Sequence, residues 1–135
     1  MKTLLISICL IGLFATSVTG SEHDKQTFKA SVNNGIQTVS LLGGSYFFKP
    51  NHIIVKVDVP VHLLVQKESG MVPHDIVIKA KDAGIDIEET MTTKVKTIIF
   101  TPTKVGTYKI ICSKKLLFFA SHEKRGMKGI LEVIE

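Results

Sequence analysis

The chain has 135 residues, 17 of them Lys or Arg against 12 Asp or Glu, for a formal net charge of +5 at pH 7. A surplus this small, spread along the chain without clustered aromatics, argues against nucleic acid and fits solubility or docking to an acidic partner. The length allows a single domain with a real core.

Lys2 precedes an apolar run from Leu4 to Phe14, and small residues follow from Ala15 to Gly20. That is the pattern of a secretory signal peptide over residues 1–20. The run is well short of the roughly 20 apolar residues that cross a bilayer, so no integral membrane segment is expected in the mature chain. The domain is then residues 21–135, in the periplasm or otherwise exported, with cleavage before Ser21 and Ala15-Thr16-Ser17 as the rival site. Cys9 leaves with the leader, so Cys112 remains alone in an oxidising compartment and no intramolecular disulfide can form. A leftover thiol implies intermolecular pairing, a reactive group or a metal ligand.

From Thr27 the sequence reads as short strands between turn signals. Phe28, Ala30 and Val32 alternate with polar residues before Asn33-Asn34-Gly35, a turn that needs positive φ. Ile36 to Leu42 stops at Gly43-Gly44. Tyr46 to Phe48 and Ile53 to Val59 follow, separated by Lys49-Pro50-Asn51. His62 to Gln66 resumes after Pro60, and the loop from Glu68 to Pro73 leads into His74 to Ile78. Lys81 to Gly84 turns the chain toward Ile85-Asp86-Ile87, and Lys94 to Phe100 is rich in β-branched residues. Tyr108, Ile110 and Cys112 share one strand face, and Gly129 to Ile134 closes the chain. Seven or eight short strands at this spacing predict an all-β, antiparallel Greek-key β-sandwich.

One short helix is expected between Cys112 and Met127. Ser113 can cap it, Leu116, Phe119 and Ala120 fall at i, i+3 and i+4, and Gly126 can end it. Its apolar residues Leu116, Leu117, Phe118 and Phe119 are expected to fill the end of the sandwich. If Leu117 or Phe118 faces outward instead, the run becomes a docking patch for a partner.

Cys112 ends a strand, and the free N–H groups of the following turn should favour its thiolate. His122 and Met127 return past that segment, and His74 begins a strand after Pro73. Two imidazoles, a thiolate and a weak axial thioether form the soft donor set that suits copper. Met71 is a further loop donor to consider. His23, His52 and His62 read as flexible, surface or satisfied residues rather than ligands.

The run Gly106-x-Tyr108-x-Ile110-x-Cys112, a later His122, Gly126-Met127-Lys128-Gly129 and an apolar last strand resemble the C-terminal signature of the cupredoxins. Tyr46-Phe47-Phe48-Lys49-Pro50-Asn51 and His74-Asp75-Ile76-Val77-Ile78 resemble the earlier half of that family. The resemblance implies one copper ion, Cu(I)/Cu(II), held by His74, Cys112, His122 and Met127. It also implies one-electron transfer, without enzymatic activity, to a redox partner such as a cytochrome or oxidase. Two features depart from the usual pattern: nine residues separate Cys112 from His122, more than in most small blue copper proteins, and Asp75 stands where Asn is usual. The longer loop leaves room for copper storage or delivery to an acceptor protein. With Glu123 as an oxygen donor, it would also suit a red-copper-type site with an open position.

Overall fold

The computed structural model describes residues 24–135; the expected leader, its cleavage site and His23 lie outside the described residues. Among the described residues, eleven strands form two packed sheets. They are β1 (Thr27–Lys29), β2 (Val32–Asn33), β3 (Ile36–Gly44), β4 (Phe47–Lys49), β5 (His52–Lys56), β6 (Val61–Lys67), β7 (His74–Ala80), β8 (Ile85–Met91), β9 (Lys96–Phe100), β10 (Gly106–Ile111) and β11 (Lys128–Ile134). One sheet has the order β1-β5-β11-β10-β7-β8; the other runs β2-β3-β6-β9, with β4 paired to β3.

The period-2 pattern read from the sequence is what fills the space between the sheets. Val39, Leu41, Leu63 and Val65 point inward from one sheet, and Ile53, Val55, Ile76, Ile78, Ile110, Leu131 and Val133 from the other, all buried. Burying each such side chain contributes about 1.5–3 kcal/mol against chain entropy. In β11 the inward face is Leu131 and Val133, and Ile130 is left exposed. The sheets are mixed rather than wholly antiparallel, because β1 and β11 both pair with β5 in parallel and β3 pairs with β6 in parallel. Crossover connections between the sheets, rather than hairpins, bring those strands together.

Buried Gln37 fastens the β5 end. Its Oε1 accepts from Lys56 N at 2.6 Å, and its Nε2 donates to Lys56 O and Val59 O. Asp58 then turns the chain at φ 57°, so β5 stops at Lys56 instead of running on to Val59.

The helix expected between Cys112 and Met127 is absent; that segment is a series of turns, and the only helical element among the described residues is a 3-10 turn at Lys81–Ala83. Leu117 at φ 47° breaks any right-handed run, and His122 N donates to Lys114 O, closing a wider loop. So short a helix lacks a packing partner to offset its nucleation cost. Leu116, Leu117, Phe118 and Phe119 do not fill the end of the sandwich; all four are exposed.

Candidate metal centre

Three strands and one loop converge at one end of the sandwich. Cys112 directly follows β10, and its N–H donates to Met127 O at 3.1 Å, extending the β10·β11 ladder by one rung. Met127 N in turn donates to His122 O at 2.9 Å. His74 opens β7, which lies beside β10 through the Ile111↔Val77 pair. The backbone thus fixes all four expected ligands relative to one another.

His74, Cys112 and His122 are brought together and buried. The two Nδ1 atoms lie 3.2 Å apart, and Cys112 Sγ is 3.5 Å from Nδ1 of His122 and 3.9 Å from Nδ1 of His74. Donors bound 2.0–2.3 Å from one ion at tetrahedral to trigonal angles lie roughly 3.3–3.8 Å apart. The spacing therefore fits a shared metal, and the soft sulfur with two imidazoles fits copper among the common ions. Met127 is fully buried beside them in the core. Met71 is wholly exposed, unlike the buried donors, and Glu123 lines a surface groove with Thr107, Lys109 and Ile111. His52 is buried but satisfied, between Thr27 Oγ1 at 3.0 Å and Glu132 Oε2 at 2.7 Å.

Electrostatics prepare the imidazoles and oppose the thiolate. Burial lowers the pKa of His74, helped by His122 and Lys67. Burial also lowers that of His122, helped by Arg125. Both shifts favour the neutral ring that a metal ion needs. The thiolate expected at Cys112 is not favoured in the metal-free protein. Burial pushes the thiol up to about 11, outweighing the N–H donors of Asp75 and Lys114 that face the sulfur. A metal binding there must displace that proton.

Asp75 ties the ligand segments together. It is buried, and its Oδ1 accepts from Ser113 N at 2.7 Å while its Oδ2 accepts from Ser113 Oγ at 2.5 Å. Its own N–H approaches Cys112 Sγ at 3.5 Å.

Three further residues flank the ligands in a way that the sequence did not indicate. The ring of Tyr46 packs edge-on against His122, with centroids 5.0 Å apart, and against His74 at 6.3 Å. Arg125 stacks on Tyr46 at 3.7 Å and donates to its hydroxyl at 2.8 Å. His122 is consequently buried rather than presented at the surface. Tyr46 also sits at φ 64°. A bulky residue there costs on the order of 1–2 kcal/mol and persists where its surroundings over-determine it. The third is Met91, paired with His74 across the β7·β8 ladder and so on the same sheet face. Only the long-range register brings it there, and no local pattern in the sequence announces it.

Gly43 in β3 makes room for both thioethers. A Cβ at that position would sit 2.9 Å from Met91 Cε and 3.1 Å from Met127 Cε. These are the far ends of flexible side chains, so Gly43→Ala is expected to cost about 1 kcal/mol or less in stability. It should still move the Met127 thioether, shifting the spectrum of the metal-loaded protein at unchanged metal stoichiometry.

The fold and these donors define a small β-sandwich with a buried site for one metal ion. The family model described as the cupredoxin-like domain matches residues 5–126, and the chain belongs to that family. Similar solved structures include the metal-binding domain of the Cu(I)-exporting P-type ATPase CopA of Streptococcus pneumoniae, with Cu(I). It is 22% identical at a TM-score of 0.63, over 82% of this chain and 98% of that one. Dithionite-reduced auracyanin from Roseiflexus castenholzii is 19% identical at 0.59, over 78% and 99%. The periplasmic domain of cytochrome oxidase subunit II from Bradyrhizobium japonicum is 14% identical at 0.57, over 78% and 88%. These likenesses are of fold. No curated protein matches the sequence.

Proposed function

We propose that this chain is an exported mononuclear copper protein that carries single electrons, with copper held by His74, Cys112, His122 and Met127 in a domain of residues 21–135 behind a leader of residues 1–20. The observation that carries the reading is the buried trio of donor atoms at ligand spacing. Bound copper would supply a one-electron couple. The chain supplies the rest. Two ladder-anchored strand ends and the Met127 backbone bonds hold the donors in place through a change of charge, Tyr46 packs against both imidazoles, and burial excludes water. The reading is non-enzymatic. The partner is a redox protein such as a cytochrome or oxidase, met at the loop end, where Lys114, Lys115, Lys124 and Arg125 favour an acidic surface.

The long, exposed loop between Cys112 and His122 favours a second reading, copper storage or delivery to an acceptor protein. One experiment separates the two. Metal-free protein titrated with Cu(II) should bind one equivalent with an intense thiolate charge-transfer band, and should keep its copper through repeated reduction and oxidation in the presence of a copper-free acceptor. Release of copper to the acceptor on reduction would favour delivery, and the lack of any thiolate band would remove both.

A further inference from the structure

The segment between the two ligands has a use that the metal site does not explain. Leu116, Leu117, Phe118 and Phe119 are consecutive, and they are 47%, 74%, 99% and 60% exposed. Consecutive side chains that all meet solvent project in several directions, so this is a tip rather than one face of a flat patch. The tip has a defined shape, because Phe119 N donates to Leu116 O and His122 N to Lys114 O at its base. At its apex Leu117 adopts φ 47°, where Gly or Asn is readily accommodated and Leu is strained. An exposed Leu in that conformation returns nothing to the fold, so the strain serves something outside it.

Basic residues flank the tip along the chain. Lys115 and Lys124 are exposed, Lys114 is half-buried, and Lys114 and Lys115 lead directly into the apolar run. The loop ahead of His74, which runs to the same end of the sandwich, adds a wholly exposed Met71. Apolar Leu and Phe flanked by Lys is the composition that lies in a bilayer interface, apolar groups sunk about 5–10 Å and cations on anionic headgroups. A protein partner takes such a projection only through a matching cavity, whereas a bilayer takes it from every side.

We propose that the tip Leu116–Phe119 inserts into the surface of an anionic lipid bilayer and holds the metal-bearing end of the domain against it. The sequence contains no Trp, so Phe118→Trp places a single reporter on the tip of the mature chain, residues 21–135, without the apolar leader. Vesicles of phosphatidylglycerol and phosphatidylcholine should shift its emission to the blue, and brominated acyl chains should quench it. Pure phosphatidylcholine should require at least tenfold more lipid for the same shift, and raised salt should erase that difference. Adding Leu117→Asn to the reporter chain should abolish the shift while leaving the melting temperature unchanged, since Leu117 supports no core. Emission that stays unshifted with anionic vesicles would overturn the proposal. So would a shift produced only by an acidic soluble protein, or one that survives Leu117→Asn.

Discussion

Copper at a thousandfold excess over its dissociation constant is expected to add about 4 kcal/mol to the stability of the wild-type protein, and close to nothing to that of Cys112→Ala. For a domain of this size the gain is a rise of roughly 15 °C in melting temperature. Cys112 is the only sulfur of the buried donor trio, and its place is set by the bond from its own N–H to Met127 O. Without the thiolate, two imidazoles and a thioether cannot balance the charge of the ion, and no thiolate charge-transfer band can arise. The metal-free variant should still fold, because the change removes one buried sulfur at a cost of about 1 kcal/mol. Calorimetry with and without copper therefore separates lost packing from lost ligation. A Cys112→Ala protein stabilised by copper as strongly as the wild type would place the site elsewhere.

The frame was legible because it rests on local pattern. The shared face of Tyr108, Ile110 and Cys112 is a period-2 signal that survives in one dimension, and the Pro60 break and the apolar last strand are equally local. Cys112 and His122 were legible as a pair because they flank one loop; His74, 38 residues before Cys112, was grouped with them by the resemblance, and it is the β7·β10 pairing that brings it there. What chain order could not carry was anything set by contact between distant segments. Met91 faces the same way as His74 only through the β7·β8 register, and Tyr46 reaches both imidazoles from a turn beyond β3. The loop was misread for the opposite reason. Leu116, Phe119 and Ala120 have helical spacing, but helical spacing organises a segment only when a surface is available to bury it. Here none is, and Leu117 turns left-handed instead. The state of the Cys112 thiol was misjudged because free N–H groups are a local feature while burial is a global one, and burial is the larger effect.

Asp75→Ala is expected to lower the stability of the metal-free protein by about 3 kcal/mol and to weaken copper binding, while Asp75→Asn should cost about 1 kcal/mol. The buried carboxylate accepts both the N–H and the hydroxyl of Ser113, one residue beyond Cys112, and lies 3.5 Å from Lys114 Nζ. Alanine leaves both Ser113 donors without that acceptor and unties the start of the Cys112–His122 loop from the start of β7. Asparagine keeps one acceptor for the Ser113 N–H and can donate to the hydroxyl, so the tie survives without its charge. The pH dependence distinguishes the charge from the tie. Burial raises the pKa of Asp75, but the two Ser113 bonds, with Cys112 and Lys114, outweigh burial and leave it below the ordinary carboxylate value. A folded pKa below the unfolded one contributes stability that is fully present above about pH 4 and is lost as pH falls through the folded value. Denaturant melts of the metal-free protein should therefore show wild type losing stability below about pH 4, with a smaller loss in Asp75→Asn. Equal acid sensitivity in the two proteins would show that Ser113 is held by shape alone and that the negative charge beside Cys112 contributes nothing to the fold.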